Sequence, residues 1–247
     1  MFCRVLFASR SQFREYKFPR TRIIDANTKL GDEGALERSQ KVFELYNACQ
    51  DKGEVDPDER VYTSFIRALT KAKTTKLHSK ASLLLQKMRV LYDAGNMSVR
   101  PTVFTLNAVL HACAECSNVE SETERMDAFK VAVGVFNDIR KDPDGPDHVS
   151  FANMLRCAVL MPEGERRDTL IKTTFGLCCE RGFVNSFVIR DLQYAASEQF
   201  WRSLLRCPSG EVQMDRLPGS WSYKFGRRQE RPERRQERPD RRQRSWR

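Results

Sequence analysis

Arg100-Pro-Thr-Val-Phe-Thr-Leu-Asn-Ala-Val-Leu-His-Ala-Cys-Ala114 is the stretch that decides the fold, because it returns in altered form on both sides. Upstream stands Asp56-Pro-Asp-Glu-Arg-Val-Tyr-Thr-Ser-Phe-Ile-Arg-Ala-Leu-Thr-Lys-Ala72, and downstream Gly145-Pro-Asp-His-Val-Ser-Phe-Ala-Asn-Met-Leu-Arg-Cys-Ala158. Proline has no N–H and is excluded from helix interiors, so each copy marks a helix beginning. The residue after it, Asp58, Thr102 or Asp147, is suited to cap the exposed first N–H groups. Prolines 57, 101 and 146 lie 44 and 45 residues apart, a spacing in the range of helical repeat arrays.

Between these starts lie second apolar patterns. In 80–92, Ala81, Leu84, Leu85, Met88 and Leu91 or Tyr92 share one helix face. Residues 126–140 do the same with Phe129, Ala132, Val133, Phe136 and Ile139, and 165–181 with Leu170, Ile171, Thr174, Phe175 and Cys178. Each unit is therefore expected to be a helix pair, and pairs must stack to cover their apolar faces. The expected fold is all-α, an α-solenoid of about four stacked helix-turn-helix repeats.

Helical geometry also suggests a binding face. In the central unit Leu106, Leu110 and Cys113 form one stripe, and Phe104, Asn107 and His111 a neighbouring one. The same offsets select Arg60, Thr63 and Arg67 before it and Val149, Ala152 and Arg156 after it. Stacked in register, these rows bring an aromatic or aliphatic plane, a polar edge partner and a base together, which is what a single-stranded nucleotide needs.

The 247 residues are 40% apolar and 31% charged, enough to bury a sizeable core. A net charge of +10 favours an anionic partner, nucleic acid before a membrane surface. No run of 18 apolar residues occurs, so no membrane span is expected. The eight cysteines fall mostly on apolar helix sides, where a thiol packs as a small hydrophobe. His111-Ala-Cys-Ala-Glu-Cys116 has zinc-like spacing, but the only second pair on offer is Cys178-Cys179. Packing in a reducing compartment is the simpler reading. His78, His111 and His148 stand in no zincin or deaminase setting, and no phosphate loop or nucleophile elbow occurs. No enzymatic activity, cofactor, metal or small-molecule substrate is expected.

The ends differ from the middle. Residues 1–22 carry six basic residues and one acid, Glu15, among Phe and Ser, the composition of an organelle transit peptide. A disordered basic arm or a truncated first repeat are the alternatives, since Ile23–Asp32 reads as half a helix, followed by a second helix at Ala35–Gln50. After a last helical pattern, Phe187–Leu205, comes the turn-rich Leu217-Pro-Gly-Ser-Trp-Ser222, expected to pack back as a cap. Residues 227–247 repeat a seven-residue Arg-rich unit, with ten Arg against four acids and no apolar seam. Such a tail is expected to stay disordered. The chain thus divides into 1–20, a targeting segment; 21–205, helical repeats; 206–226, a cap; and 227–247, a tail.

The order proline, polar residue, aromatic or Leu, Asn or small residue, apolar helix and second helix resembles the pentatricopeptide repeat over roughly residues 20–198. The units are longer than that family's, with the excess between paired helices at Lys73–Ser79 and Ser117–Glu124. The resemblance implies binding of single-stranded RNA in a mitochondrion or, alternatively, a plastid. It assigns base choice to Asn107 with Asp147, a pair associated with uracil. The neighbouring pairs are Thr63 with Thr102 and Ala152 with Ser186, which match no assigned base, and Thr21 with Asp58, which suggests guanine. The rival from another class is a protein-interaction scaffold whose same face holds a peptide or a ribonucleoprotein subunit.

Overall fold

A computed structural model of the chain describes residues 20–30, 34–53, 58–207 and 212–223, with side chains from Arg22 onward. The targeting segment up to residue 19, the Arg-rich tail and the Thr21 side chain lie outside the described residues. Among the described residues ten α-helices form: α1 Arg20–Leu30, α2 Ala35–Asp51, α3 Glu59–Lys71, α4 Leu77–Asp93 and α5 Val103–Ala114, then α6 Glu122–Lys141, α7 His148–Ala158, α8 Glu165–Glu180, α9 Ser186–Ala195 and α10 Glu198–Leu205. The described residues are all-helical, without strands.

The helices start where the chemistry allows. Asp58 adopts extended backbone and accepts from the Arg60 N–H, and Asp147 does so from the Ser150 N–H, completing a reciprocal capping box. Thr102 also has extended backbone, yet its hydroxyl makes no cap bond and turns to Glu59 on the preceding odd-numbered helix. Asn185 caps α9 through the Val188 N–H without a proline before it. The pattern 187–205, continuous in sequence, breaks at Ala196 and Ser197, both extended, so that α10 restarts separately.

Packing follows a two-layer rule. The odd helices α1, α3, α5, α7 and α9 each touch the next odd helix. The even helices α2, α4, α6 and α8 each touch the odd helix before and the one after. One continuous core runs from Ile24 to Leu205. At its start Phe43 of α2 stacks on Phe65 of α3 at 4.2 Å and meets Tyr62 edge-on at 5.3 Å. At its centre Leu110, Ala112 and Cys113 of α5 and Phe151, Leu155 and Cys157 of α7 are fully buried. Each large side chain of this kind contributes roughly 1.5–3 kcal/mol through burial.

The interhelix excess is partly helix. α4 begins at Leu77 after a linker in which Lys73 and Lys76 take left-handed backbone, and α5 runs into a 3-10 turn, Glu115–Asn118. The even helices also run long, with 20 residues in α6. At the far end, the Val184 N–H donates to the Trp221 carbonyl at 2.8 Å, and the Trp221 ring meets Phe175 of α8 edge-on at 5.7 Å. Gly182 ends α8 with a φ of +71°, and the Tyr223 ring lies where its side chain would be. Only glycine satisfies both conditions.

Candidate functional site

The caps Asp58, Thr102, Asp147 and Asn185 put α3, α5, α7 and α9 in one register. Two residues beyond each cap stand Arg60, Phe104, Val149 and Phe187. Phe104 is 78% exposed, the most of any large apolar side chain described, Phe187 56% and Val149 40%. Arg60 is exposed as well. Nine residues beyond each cap stand Arg67, His111, Arg156 and Tyr194, the last 53% exposed. Seven residues are two helical turns, so both rows lie on one side of the odd layer, about 10 Å apart along the helices.

Five residues beyond the cap the surface expectation fails. Asn107 is 7% exposed and Ala152 is 6% exposed. On α5 and α7 this position faces the seam between successive odd helices, whereas Thr63 on α3 is half-buried and Arg190 on α9 is exposed. The seam is polar. Asn107 Nδ2 donates to Asp147 Oδ1 at 3.1 Å, and the same oxygen accepts from the Ser150 N–H and hydroxyl. Asn107 Oδ1 is buried with no hydrogen-bond partner. Ala152 brings no polar group at all, so the α7 unit lacks an edge reader there.

One seam earlier, Thr63 and Thr102 meet through a residue the sequence reading passed over. The Glu59 carboxylate accepts from the hydroxyls of Thr63, Thr102 and Thr105, and Thr63 and Thr105 also touch at 2.8 Å. The expected pair of Thr63 with Thr102 thus already donates its hydroxyl protons to protein. Ser186 needs correcting too: it is the first residue inside α9, and the residue in register with Thr102 and Asp147 is Asn185. The missing proline hid this cap.

The row nine residues beyond the caps is electrostatically linked. Arg156 Nη2 lies 2.7 Å from Glu115 Oε1, and His111 Nε2 lies 3.7 Å from the same oxygen. Burial holds the His111 pKa below its ordinary value; Glu115 opposes this, the Arg156 and Arg67 charges add to it, and Asp191 opposes it weakly. His111 faces the Glu115 carboxylate, while Cys113 is fully buried. Cys116 Sγ lies instead 3.7 Å from His78 Nδ1 in the core. Among the described residues no group of three or more His, Cys, Asp or Glu is placed to hold a metal ion, and no helix is long and apolar enough to cross a membrane.

Phe187, Arg190 and Glu115 are further residues the sequence reading missed. The Arg190 guanidinium sits 5.4 Å from the Phe187 ring centroid, extending the exposed row onto α9. Aligning the caps rather than the prolines finds both residues. Comparison of the chain with models of known families, with characterised proteins and with solved structures finds no match.

Proposed function

We propose that the chain is a pentatricopeptide-like helical repeat protein that binds single-stranded RNA along the odd-helix layer, in an organelle. The observation that carries this reading is the row Arg60, Phe104, Val149 and Phe187, one exposed side chain per stacked helix in one register. Three planar or branched apolar groups offered to solvent at a regular interval suit successive bases, which every single strand presents as π-faces. The parallel row Arg67, His111 and Arg156 suits the phosphates.

Base choice then centres on the Asn107 and Asp147 pair, seated behind Phe104 in sequence and helix position. Asp147 holds the amide nitrogen, which leaves Oδ1 as the unpaired acceptor. An imide N–H, as on the Watson–Crick edge of uracil, supplies the missing donor. Because the atom is buried, a base has to displace local packing to reach it.

Fluorescence anisotropy with 5′-hydroxyl oligouridylate and oligoadenylate tests the proposal. Binding that favours uridylate and weakens in Phe104→Ala supports it. A protein that holds neither oligomer at low salt refutes it. The scaffold alternative draws on the same exposed row, since apolar groups in register also fit an extended peptide; capture of a peptide with no oligonucleotide binding selects it.

A further inference from the structure

We infer that RNA binding at this face is proton-linked, with His111 taking up a proton as a phosphodiester settles on the row Arg67, His111 and Arg156. This rests on the RNA-binding reading and adds a regulation to it.

His111 sits in register between one arginine on α3 and one on α7, with its side chain 43% exposed, so a phosphodiester chain that runs from one arginine to the other crosses the imidazole. Charged groups face His111 from four helices or helix ends. Glu115 follows on its own helix end, Arg156 comes from α7, Arg67 from α3 and Asp191 from α9. In the free protein Glu115 is shared: it pairs with Arg156 at 2.7 Å and reaches His111 only at 3.7 Å. The carboxylate is thus committed mainly to the arginine, and two guanidinium groups face an imidazole that burial already discourages from charging.

A phosphodiester changes the balance. Its negative charge beside Arg67, His111 and Arg156 offsets both guanidinium charges and favours the imidazolium. Ligand and proton then bind with mutual reinforcement, because a group whose pKa rises on binding must take up a proton as the ligand enters. Arginine stays charged throughout, so neither Arg67 nor Arg156 nor the Arg-rich tail brings pH dependence of its own. The phosphodiester does not titrate here either. The other two histidines are placed apart from this row: His78 is buried in the core against Cys116, and His148 opens α7.

The test uses the full chain and 5′-hydroxyl oligouridylate at constant ionic strength, between about pH 7.5 and pH 5.5. Affinity is expected to rise as the pH falls, by at most about tenfold per pH unit for one linked proton. H111Q is expected to lose the rise, and H148Q to keep it. E115Q, which removes the one carboxylate close to the imidazole, is expected to move the rise to lower pH. The His111 ring signal, followed by NMR in the unmodified protein, is expected to titrate at higher pH with RNA bound than without; this readout stands even where H111Q folds poorly. An H111Q protein with the same rise, or a His111 signal whose titration RNA does not move, overturns the inference while leaving RNA binding intact. No binding at any pH overturns both.

Discussion

Asn107 Nδ2 lies 3.1 Å from Asp147 Oδ1, so that an amide on α5 is fixed by the residue that caps α7. The bond links two successive odd helices and also sets which end of the amide is left without a partner. Structure and proposed base reading therefore depend on one contact. Asn107→Ala is expected to weaken a uracil-containing ligand by about 1–3 kcal/mol, the range for a good base-edge contact. It is also expected to lower the melting temperature, since a hydrogen bond to a charged group contributes about 1.5–3 kcal/mol. Asn107→Ser is expected to shift preference away from uracil with a smaller loss. Equal loss on uridylate and adenylate would leave the contact a purely structural one.

Phe104 and Phe187 separate binding from folding. At 78% and 56% exposure they contribute little to the core, and surface changes of this kind stay within about 0.5 kcal/mol of stability. Each stacked base is worth about 1–3 kcal/mol. Phe104→Ala and Phe187→Ala are expected to melt like the parent and bind more weakly. Titration calorimetry beside thermal melts checks this, and parent-like binding by both variants would remove the stacking row.

Glu59 is expected to behave oppositely. Its carboxylate gathers three hydroxyls across the α3–α5 seam, from Thr63, Thr102 and Thr105. Glu59→Ala leaves those groups short of an acceptor and is expected to cost about 1–3 kcal/mol per unsatisfied buried group, the upper end applying to Thr105, which is fully buried. Urea unfolding at unchanged slope measures it. Base preference is expected to stay the same, because Thr63 and Thr102 are engaged with protein rather than presented to a ligand.

The thiols give a pH-dependent check on the core. Burial pushes Cys113, Cys157 and Cys178 well above the ordinary thiol value, and Cys179 up to about 12. A raised acid pKa means the fold prefers the protonated thiol. The associated stability is fully present below the ordinary value of 9.0 and is lost as pH rises above it toward the folded values. Melting temperature is expected to fall through mildly alkaline pH. Iodoacetamide at pH about 8 is expected to leave these four thiols slow until denaturant is added, because the thiolate is the reacting form. Rapid labelling of Cys157 in the folded protein would contradict the packing around it.

Much of the fold was legible because it rests on local chemistry. Proline and a capping residue mark helix starts without reference to the rest of the chain, and Asp58, Thr102 and Asp147 all stand at caps. The faces of the even helices were legible too: Ala81, Leu85 and Met88 on α4, Ala132, Phe136 and Ile139 on α6, and Ile171, Phe175 and Cys178 on α8 are all buried. What failed depended on neighbours. A helical wheel places Asn107 beside Phe104, but only the approach of α7 shows that Phe104 is outside and Asn107 inside the seam. Glu59 was invisible for the same reason, since its partners Thr102 and Thr105 come from 43 and 46 residues away. Asn185 escaped because it caps without a proline. The break at Ala196 escaped because its apolar pattern continues unbroken into α10.

The last prediction divides affinity between the helical layer and the tail. Residues 227–247 hold ten Arg and four acids, which is six of the chain's ten net positive charges. Contacts from such a segment are made to phosphates, and each releases about 0.7 of a counterion from a single strand, so log affinity falls with log salt in proportion to their number. They carry no base preference. Deleting 227–247 is therefore expected to flatten the salt dependence and weaken all oligonucleotides alike, while the ratio of uridylate to adenylate binding stays constant. Arg67→Ala and Arg156→Ala in the tail-less protein are each expected to lower the slope by a further ~0.7, on the same ground. Arg156→Ala additionally releases Glu115 toward His111, which favours the imidazolium and partly restores positive charge at low pH. Its deficit is thus expected to be larger at pH about 7.5 than at pH about 5.5, and the Arg67→Ala deficit to change in the same direction by less, since Arg67 is the weaker of the two guanidinium influences on His111. A tail-less protein with an unchanged slope would assign the phosphate contacts to the helices alone.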